Sequence, residues 1–114
     1  MAVAYARGES RVVSWKHPET SASAIRIRAS ASWKKALKAV KDSGGAMLTV
    51  SDSEISRAQL LFANHEGIFA EPASSASVAG LAKAAKLGFV KPRDRIVCVI
   101  TGHGLKDQQA IDIS

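Results

Sequence analysis

Apolar residues recur through the middle of the chain at the spacing of amphipathic helices. In the first such segment they stand at positions i, i+3, i+4 and i+7, with lysines on the opposite face. These apolar residues are Trp33, Ala36, Leu37 and Val40. The spacing predicts a helix that Ser32 caps at its N-terminus and that Gly44-Gly45 ends.

Further along, the same helical period returns after Val50 and again after residue 75. Ser51-Asp52-Ser53-Glu54 has the composition of a capping box, in which the serine hydroxyl and the glutamate carboxylate each bind a backbone N–H at a helix start. The helix that follows ends at Gly67, and a turn over residues 71–75 leads into another that ends at Gly88. Their apolar faces comprise Ile55, Ala58, Leu61 and Phe62, and Val78, Leu81, Ala82 and Ala85.

Short apolar runs alternate with these helices and predict strands. The runs are Ala46–Val50, Ile68–Ala70 and Ile96–Ile100. The last follows Pro92 and precedes Gly102 and Gly104, as is typical of a strand buried on both faces of a parallel sheet. The order of elements predicts an α/β fold, a partial three-layer sandwich with short, mostly parallel strands and three helices.

The chain divides by pattern into an extended N-terminal segment over residues 1–31, an α/β domain over residues 32–107 and a tail over residues 108–114. Within the first segment, Ile25 and Ile27 alternate with arginines, which predicts a short edge strand. We expect residues 1–15 to be partly mobile or ordered by a partner.

Composition indicates a soluble, cytoplasmic globular protein. No apolar run approaches the roughly 18 residues of a membrane span, and the N-terminus lacks the pattern of a signal peptide. The single cysteine, Cys98, lies in a predicted strand and is expected to be inert packing. The net charge of +6 raises nucleic-acid binding as a possibility. Because no aromatic residue is interleaved with the lysines, solvated helix faces explain the charge better, and nucleic acid is an unlikely partner.

The sequence Thr101-Gly102-His103-Gly104 stands directly after the predicted strand at 96–100. In open α/β sheets, ligands bind beyond the carboxyl ends of the strands, so this is the expected place for a site. The chemistry of these residues alone does not name the ligand. The histidines and Cys98 lack the spacing of a metal site, and we expect no metal.

A set of short stretches, taken in their order and spacing, carries a family resemblance. They are Pro18-Glu19-Thr20, Ala24-Ile25-Arg26-Ile27, Ser32-Trp33, Thr49-Val50-Ser51-Asp52, His65-Glu66-Gly67-Ile68-Phe69, Glu71-Pro72-Ala73-Ser74 and Thr101-Gly102-His103-Gly104-Leu105-Lys106-Asp107. Over residues 17–107 they resemble the C-terminal part of threonine synthase. That family is pyridoxal-phosphate-dependent, shares its fold with the tryptophan synthase β chain (fold type II), and converts O-phosphohomoserine and water to threonine and phosphate, a lyase step of amino-acid biosynthesis.

The resemblance implies a cofactor-binding role for four residues. The hydroxyl of Thr101 would bind the pyridine nitrogen of pyridoxal phosphate, Glu71 would face the cofactor ring, and Gly102 and Gly104 would shape the loop around it. A hydroxyl leaves the ring nitrogen largely unprotonated, which suits β-elimination and replacement.

Departures from the family pattern bear on activity. The sequence contains neither the Ser-Phe-Lys-Asp type motif of the Schiff-base lysine nor the glycine-rich phosphate loop, and Arg28 stands where the family has a glycine. We therefore expect no catalytic residue here, no catalysis by this chain alone, and either a homo-oligomer or a complementing chain. Two alternatives remain open: a non-catalytic small-molecule-binding or regulatory module on the same fold, and a basic protein that associates with nucleic acid.

Overall fold

A computed structural model describes residues 1–9 and 11–107 of the chain. The predicted tail over residues 108–114 lies outside the described residues. The elements are the α-helices α1 (Ala2–Ala6), α2 (Trp33–Asp42), α3 (Asp52–Glu66) and α4 (Pro72–Lys86), and the 3₁₀ helices Ser23–Ile25 and Gly104–Lys106. The three longer helices are those that the apolar spacing predicted.

The chain forms two compact units whose segments interleave along the sequence. Unit 1 comprises Met1–Glu19 and Ile27–Thr49, and unit 2 comprises Thr20–Arg26 and Val50–Ser114. The residues predicted to bind a cofactor all belong to unit 2.

Unit 1 is built on α2 and the short α1, an alanine-rich turn of helix that the sequence pattern did not predict. The hydroxyl of Tyr5 on α1 donates to the Gly45 carbonyl at 2.9 Å. The N–H of Trp15 donates to the carbonyl of Arg28 at 2.9 Å. Ser32 is the N-cap residue of α2, as predicted, although its side chain makes no capping hydrogen bond.

In unit 2, α3 begins with the predicted capping box. The N–H of Glu54 donates to Ser51 Oγ at 3.2 Å, and the N–H of Ser51 donates to Glu54 Oε2 at 2.7 Å. The helix ends at Gly67, whose φ of 66° lies in the left-handed region that glycine adopts without a steric penalty. Both ends of α3 are therefore confirmed.

Helix α4 begins earlier than predicted, because Pro72 occupies its first turn, where a missing N–H costs no helical hydrogen bond. The segment predicted as a turn over residues 71–75 is thus mostly helical. Its C-terminal end agrees with the prediction, since Gly88 has a φ of 78°. Helices α3 and α4 pack against each other. Their buried apolar side chains include Ile55 and Ala58 of α3 and Ala79 of α4.

The structure does not confirm the predicted sheet. Among the described residues the only β pairing is an isolated antiparallel bridge between Ala70 and His103. The segments 46–50 and 96–100 have no helical structure and form no ladder within the described part of the chain. The expected edge strand around Ile25 is also wrong, since Ser23–Ile25 is a 3₁₀ helix.

The segment 96–100 is not buried on both faces as predicted. Val97 is 87% exposed and Val99 is 65% exposed. A strand reaches full burial only when neighbours pair with both of its edges and helices cover both faces. The segment contacts α4, where the carbonyl of Val99 accepts from the hydroxyl of Ser77 at 3.4 Å.

Candidate functional site

The N-terminus of α4 and the residues after segment 96–100 meet in a polar cluster. The bridge between Ala70 and His103 aligns the two backbones. The N–H of Glu71 donates to the Gly102 carbonyl at 3.0 Å, and the N–H of Gly104 donates to the Phe69 carbonyl at 2.8 Å. This pairing brings together Glu71, Thr101, Gly102 and Gly104, the residues that the sequence pointed to as cofactor-binding.

Glu71 is the buried acidic member of the cluster, with 2% of its surface exposed. Its Oε1 accepts from the hydroxyl of Thr101 at 3.1 Å, and its Oε2 lies 3.8 Å from Nζ of Lys106. As N-cap of α4, its carboxylate also lies beside the positive end of the helix dipole. Hydrogen bonding and opposite charge together offset the cost of burying this carboxylate.

Ser74, on the first turn of α4, is the centre of the cluster, and the sequence reasoning missed it. The residue is 2% exposed. Its hydroxyl oxygen accepts from the N–H of Thr101 at 2.8 Å and from the N–H of Gly102 at 3.0 Å. The Ser74 and Thr101 hydroxyl oxygens are 2.9 Å apart. No local feature of the sequence marks this serine, because its partners Thr101 and Gly102 lie about 27 residues further along the chain.

Both predicted glycines are required by close approach rather than by backbone angle. A Cβ on Gly102 would lie 2.5 Å from Glu71 Oε1, and a Cβ on Gly104 would lie 2.3 Å from the ring of Phe69. Neither glycine is among those with a positive φ. They shape the loop by admitting the Glu71 carboxylate and the Phe69 ring.

His103 holds the loop in shape. Its Nδ1 accepts from the N–H of Leu105 at 3.1 Å, and its ring meets Phe69 edge to face with centroids 5.7 Å apart. Since Nδ1 accepts a hydrogen bond, the neutral ring carries its proton on Nε2.

Polar contacts of unit 2 that the sequence did not predict support this cluster from two sides. The amide of Gln59 on α3 donates to the carbonyl of Ala70 at 2.7 Å, and this bond is buried. On the other side, the hydroxyl of Ser23 donates to Asp107 at 2.7 Å. These bonds tie the bridge and the 3₁₀ turn after it to the rest of unit 2.

The segment 20–26 is fastened to α3 through Asp52. The hydroxyl of Thr20 donates to Asp52 Oδ1 at 2.5 Å, and the N–H of Ser21 donates to Oδ2 at 2.9 Å. The Thr20 hydrogen bond, followed by that from Ser21, holds the pKa of Asp52 below its usual range. The anchored segment therefore depends on an ionised carboxylate.

Two cavities of the structure are lined by residues outside the cluster. One of about 700 Å³ is lined by residues of unit 1, among them Tyr5, Trp33 and Lys38. A smaller one of about 160 Å³ lies between α3 and α4, lined by Arg57, Leu61 and others. None of the predicted cofactor-binding residues lines either cavity.

Within residues 1–9 and 11–107, no group of three or more histidine, cysteine, aspartate or glutamate side chains could hold a metal ion. In the same residues no helix has the length and apolar character needed to cross a membrane. Cys98 is half-buried, with its Sγ 4.0 Å from the Ser77 carbonyl oxygen. The described chemistry of the cluster is thus that of hydroxyls, a carboxylate and backbone amides.

The buried carboxylate of Glu71 and the hydroxyl of the exposed Thr101 lie at the start of α4. Comparison with known proteins identifies the family to which a chain with this arrangement belongs. The family model of pyridoxal-phosphate-dependent enzymes matches residues 1–102. The chain therefore belongs to the pyridoxal-phosphate-dependent enzyme family.

Within that family, the relatives it resembles are threonine synthases. It is 48% identical to the threonine synthase of Methanocaldococcus jannaschii over 107 residues, which are 94% of this chain and 26% of that enzyme. It is 53% identical to the threonine synthase of Mycobacterium tuberculosis H37Rv over 91 residues, 80% of this chain and 25% of the enzyme. With the enzyme of Halalkalibacterium halodurans it shares 51% identity over 92 residues, 81% of this chain and 26% of the enzyme. The chain thus spans about a quarter of the length of these relatives.

Proposed function

We propose that this chain supplies the pyridine-facing part of a threonine synthase cofactor site, as the C-terminal part of that enzyme would. The whole enzyme's reaction would be the conversion of O-phosphohomoserine and water to threonine and phosphate. The observation that carries the proposal is the Glu71–Ser74–Thr101–Gly102 cluster, a buried set of polar groups that ends in a reachable hydroxyl. It lies in the part of the chain with the longest sequence block shared with threonine synthases.

The residues present fit one end of pyridoxal phosphate. Thr101 is exposed, so its hydroxyl can be reached by a ring nitrogen. Glu71 and Gly102 would lie beside the ring, and Gly104 would keep the loop close to Phe69. When bound, the cofactor supplies an electron sink for chemistry at the substrate's carbon atoms. The residues of this chain would bind and orient the ring.

The same residues do not supply the covalent step, and we propose that the chain does not catalyse alone. Lys106 is the lysine next to the cluster, but its ammonium faces the Glu71 carboxylate at 3.8 Å. A lysine side chain directed at a carboxylate in this way is not placed to act as the nucleophile. The nucleophilic lysine and the phosphate-binding loop would come from another part of the enzyme or from a complementing chain.

The exposure of segment 96–100 supports the proposal that another part of the enzyme completes the site. Within the described residues the segment forms no strand ladder, and the side chains of Val97 and Val99 are exposed, as expected of a parallel-sheet strand whose neighbouring strands belong to another part of the enzyme. We propose that segments 46–50 and 96–100 become strands of the family's fold when the remaining part of the enzyme pairs with them. The α/β sandwich predicted from the sequence would then form.

The first test is binding of a cofactor analogue that lacks the aldehyde, pyridoxine 5′-phosphate, to the 114-residue chain. The analogue avoids reaction of an aldehyde with the exposed lysines, which would mask a specific site. Tryptophan fluorescence and ring absorbance would follow the titration. We expect saturable binding that Thr101→Ala weakens and Thr49→Ala, a matched substitution in unit 1, does not. Equal binding by both variants would contradict the proposal.

Complementation tests the activity. The part of the M. jannaschii threonine synthase that this chain does not match would be mixed with the chain, pyridoxal phosphate and O-phosphohomoserine, and phosphate release measured. We expect release only from the mixture, and its loss with Thr101→Ala. Phosphate release by the chain alone that Thr101→Ala abolishes would overturn the inactive-alone proposal. Binding without complementation would favour a regulatory module.

Arg28 stands where the resemblance to threonine synthase has a glycine, and this departure can be tested separately. If its side chain crowds the cofactor, Arg28→Gly should tighten binding of pyridoxine 5′-phosphate. Arg26→Gly, an exposed arginine two residues away, is the matched control. Unchanged affinity in Arg28→Gly would remove crowding as an explanation.

A further inference from the structure

The hydroxyl of Ser74 joins both ends of the candidate site. It stands on α4, three residues after Glu71, and reaches the backbone and the side chain of Thr101. Its other polar neighbours are the N–H of Gly102 at 3.0 Å, Glu71 Oε1 at 3.4 Å and the Gly102 carbonyl oxygen at 3.5 Å. The side chain is buried, so water does not compete for these bonds.

Counting hydrogens gives these bonds a direction. A serine hydroxyl has one hydrogen and two lone pairs. The two N–H groups of Thr101 and Gly102 occupy the lone pairs, and the hydrogen goes to the nearest acceptor, Thr101 Oγ1 at 2.9 Å. Thr101, having accepted from Ser74, donates its own hydrogen to Glu71 at 3.1 Å. The chain of donors therefore runs from Ser74 through Thr101 to Glu71.

We infer that Ser74 is a positioning residue that fixes the Thr101 hydroxyl as a hydrogen-bond donor toward a ring nitrogen. The inference rests on the proposed cofactor-facing role of Thr101. With the cofactor bound, Thr101 would donate its hydrogen to the ring nitrogen instead of Glu71 and would still accept from Ser74. A hydroxyl that accepts a hydrogen bond is polarised into a stronger donor. Ser74 thus both fixes the backbone N–H of Thr101 and makes the Thr101 hydroxyl a stronger hydrogen-bond donor.

The chain offers a matched control for this role in Ser75. Ser75 is fully buried like Ser74 and stands next to it, but its hydroxyl donates only to the carbonyl of Glu71 in the preceding turn, at 3.1 Å. Ser75→Ala removes a buried hydroxyl without touching Thr101 or Gly102. Ser74→Ala removes the partner of two N–H groups and of the Thr101 hydroxyl.

The test compares Ser74→Ala, Ser75→Ala and Thr101→Ala in the 114-residue chain, with pyridoxine 5′-phosphate as the probe. Amide hydrogen exchange by NMR reads out the N–H groups of Thr101 and Gly102 without any ligand. Binding and the pH dependence of the ring absorbance read out the hydroxyl, because a weaker donor leaves the ring nitrogen easier to protonate. Ser74→Cys, which keeps the volume with a weaker donor, serves if Ser74→Ala does not fold.

We expect Ser74→Ala to speed exchange at Thr101 and Gly102, to weaken analogue binding roughly five- to tenfold, and to shift ring protonation toward higher pH. Ser75→Ala should leave all three unchanged. If Thr101→Ala weakens binding and Ser74→Ala and Ser74→Cys do not, the inference is overturned while the proposed function stands. If Thr101→Ala has no effect on binding, both fall. Unchanged exchange at both amides in Ser74→Ala would also overturn the inference.

Discussion

The carboxylate of Glu71 occupies the space that a side chain at residue 102 would need. A Cβ built on Gly102 would approach Glu71 Oε1 to 2.5 Å and Cδ to 2.6 Å. Because Glu71 is buried and bonded to Thr101, its carboxylate has little room to move away. The glycine and the glutamate therefore define one another's place in the site.

From this contact we predict that Gly102→Ala destabilises the chain by about 1–3 kcal/mol, the usual cost of overpacking a filled region. Gly80→Ala is the matched control, since a Cβ there meets nothing within 4 Å and the residue lies inside α4. There alanine should stabilise by roughly 0.5–1 kcal/mol through its helix preference. Urea unfolding of both variants measures the difference, and equal stability would show that the Glu71 carboxylate can shift freely.

Gly104 provides an independent contact with an aromatic ring. A Cβ on this residue would lie 2.3–2.5 Å from three carbons of Phe69. We predict that Gly104→Ala costs about 1–3 kcal/mol, and that the cost shrinks when Phe69 is replaced by alanine. A double-mutant cycle by urea unfolding gives this coupling. Additive effects of Gly104→Ala and Phe69→Ala would mean that the ring is not what excludes a side chain from residue 104.

Asp52 should make unit 2 sensitive to acid. Its pKa is lowered from the usual 3.8, first by the Thr20 hydroxyl and then by Ser21. A lowered folded-state pKa contributes stability that is present above the unfolded pKa and is lost as pH falls through the folded value. The contribution is modest because the carboxylate is exposed.

We therefore expect Asp52→Asn to be less stable than the parent chain at pH 7 and the difference to vanish below the folded pKa of Asp52. Thr20→Val should raise the pKa of Asp52 toward its usual value, whereas Thr20→Ser, which keeps the hydroxyl, should not. NMR titration of the Asp52 carboxyl carbon measures the pKa. An unchanged pKa in Thr20→Val would contradict the assigned cause.

Local sequence chemistry was enough to predict the helices of unit 2. The capping box at Ser51 and Glu54 and the glycines after α3 and α4 act within a few residues, so they can be recognised without knowledge of tertiary contacts. The resemblance to threonine synthase also pointed to Glu71 and Thr101 together, and the structure joins them by a hydrogen bond of 3.1 Å. Helix α1 and the 3₁₀ turn at Ser23–Ile25 were not predictable, since turns this short have almost no periodicity.

The pairing of the strands and the role of Ser74 depend on tertiary contacts and could not be predicted from local sequence. An apolar run such as Ile96–Ile100 indicates that a strand is suited to burial. Whether the strand is buried depends on neighbouring strands and helices, which the run itself does not specify. A serine on a helix has no local feature that distinguishes a hub from a surface residue. Only the approach of Thr101 and Gly102, about 27 residues further along the chain, makes Ser74 a central group.

The exposed face of segment 96–100 leads to a prediction about assembly. Val97 and Val99 expose apolar side chains, and their segment pairs with no strand among the described residues, an arrangement that favours association with a second chain. We predict that the 114-residue chain forms a dimer or larger oligomer at micromolar concentration. Static light scattering of the purified chain measures the mass directly.

Charged substitutions identify the surface responsible for that assembly. Val97→Lys with Val99→Lys should shift the mass toward the monomer, because two ammonium groups cannot be buried in an apolar interface without a large desolvation cost. Leu60→Lys, at a residue on α3 that is 48% exposed, is the control and should leave the mass unchanged. The part of the M. jannaschii enzyme used for complementation should compete with self-association, since both would cover the same strand. A monomeric parent chain, or an oligomer indifferent to the paired lysines, would mean that the segment stays uncovered or that another surface mediates association.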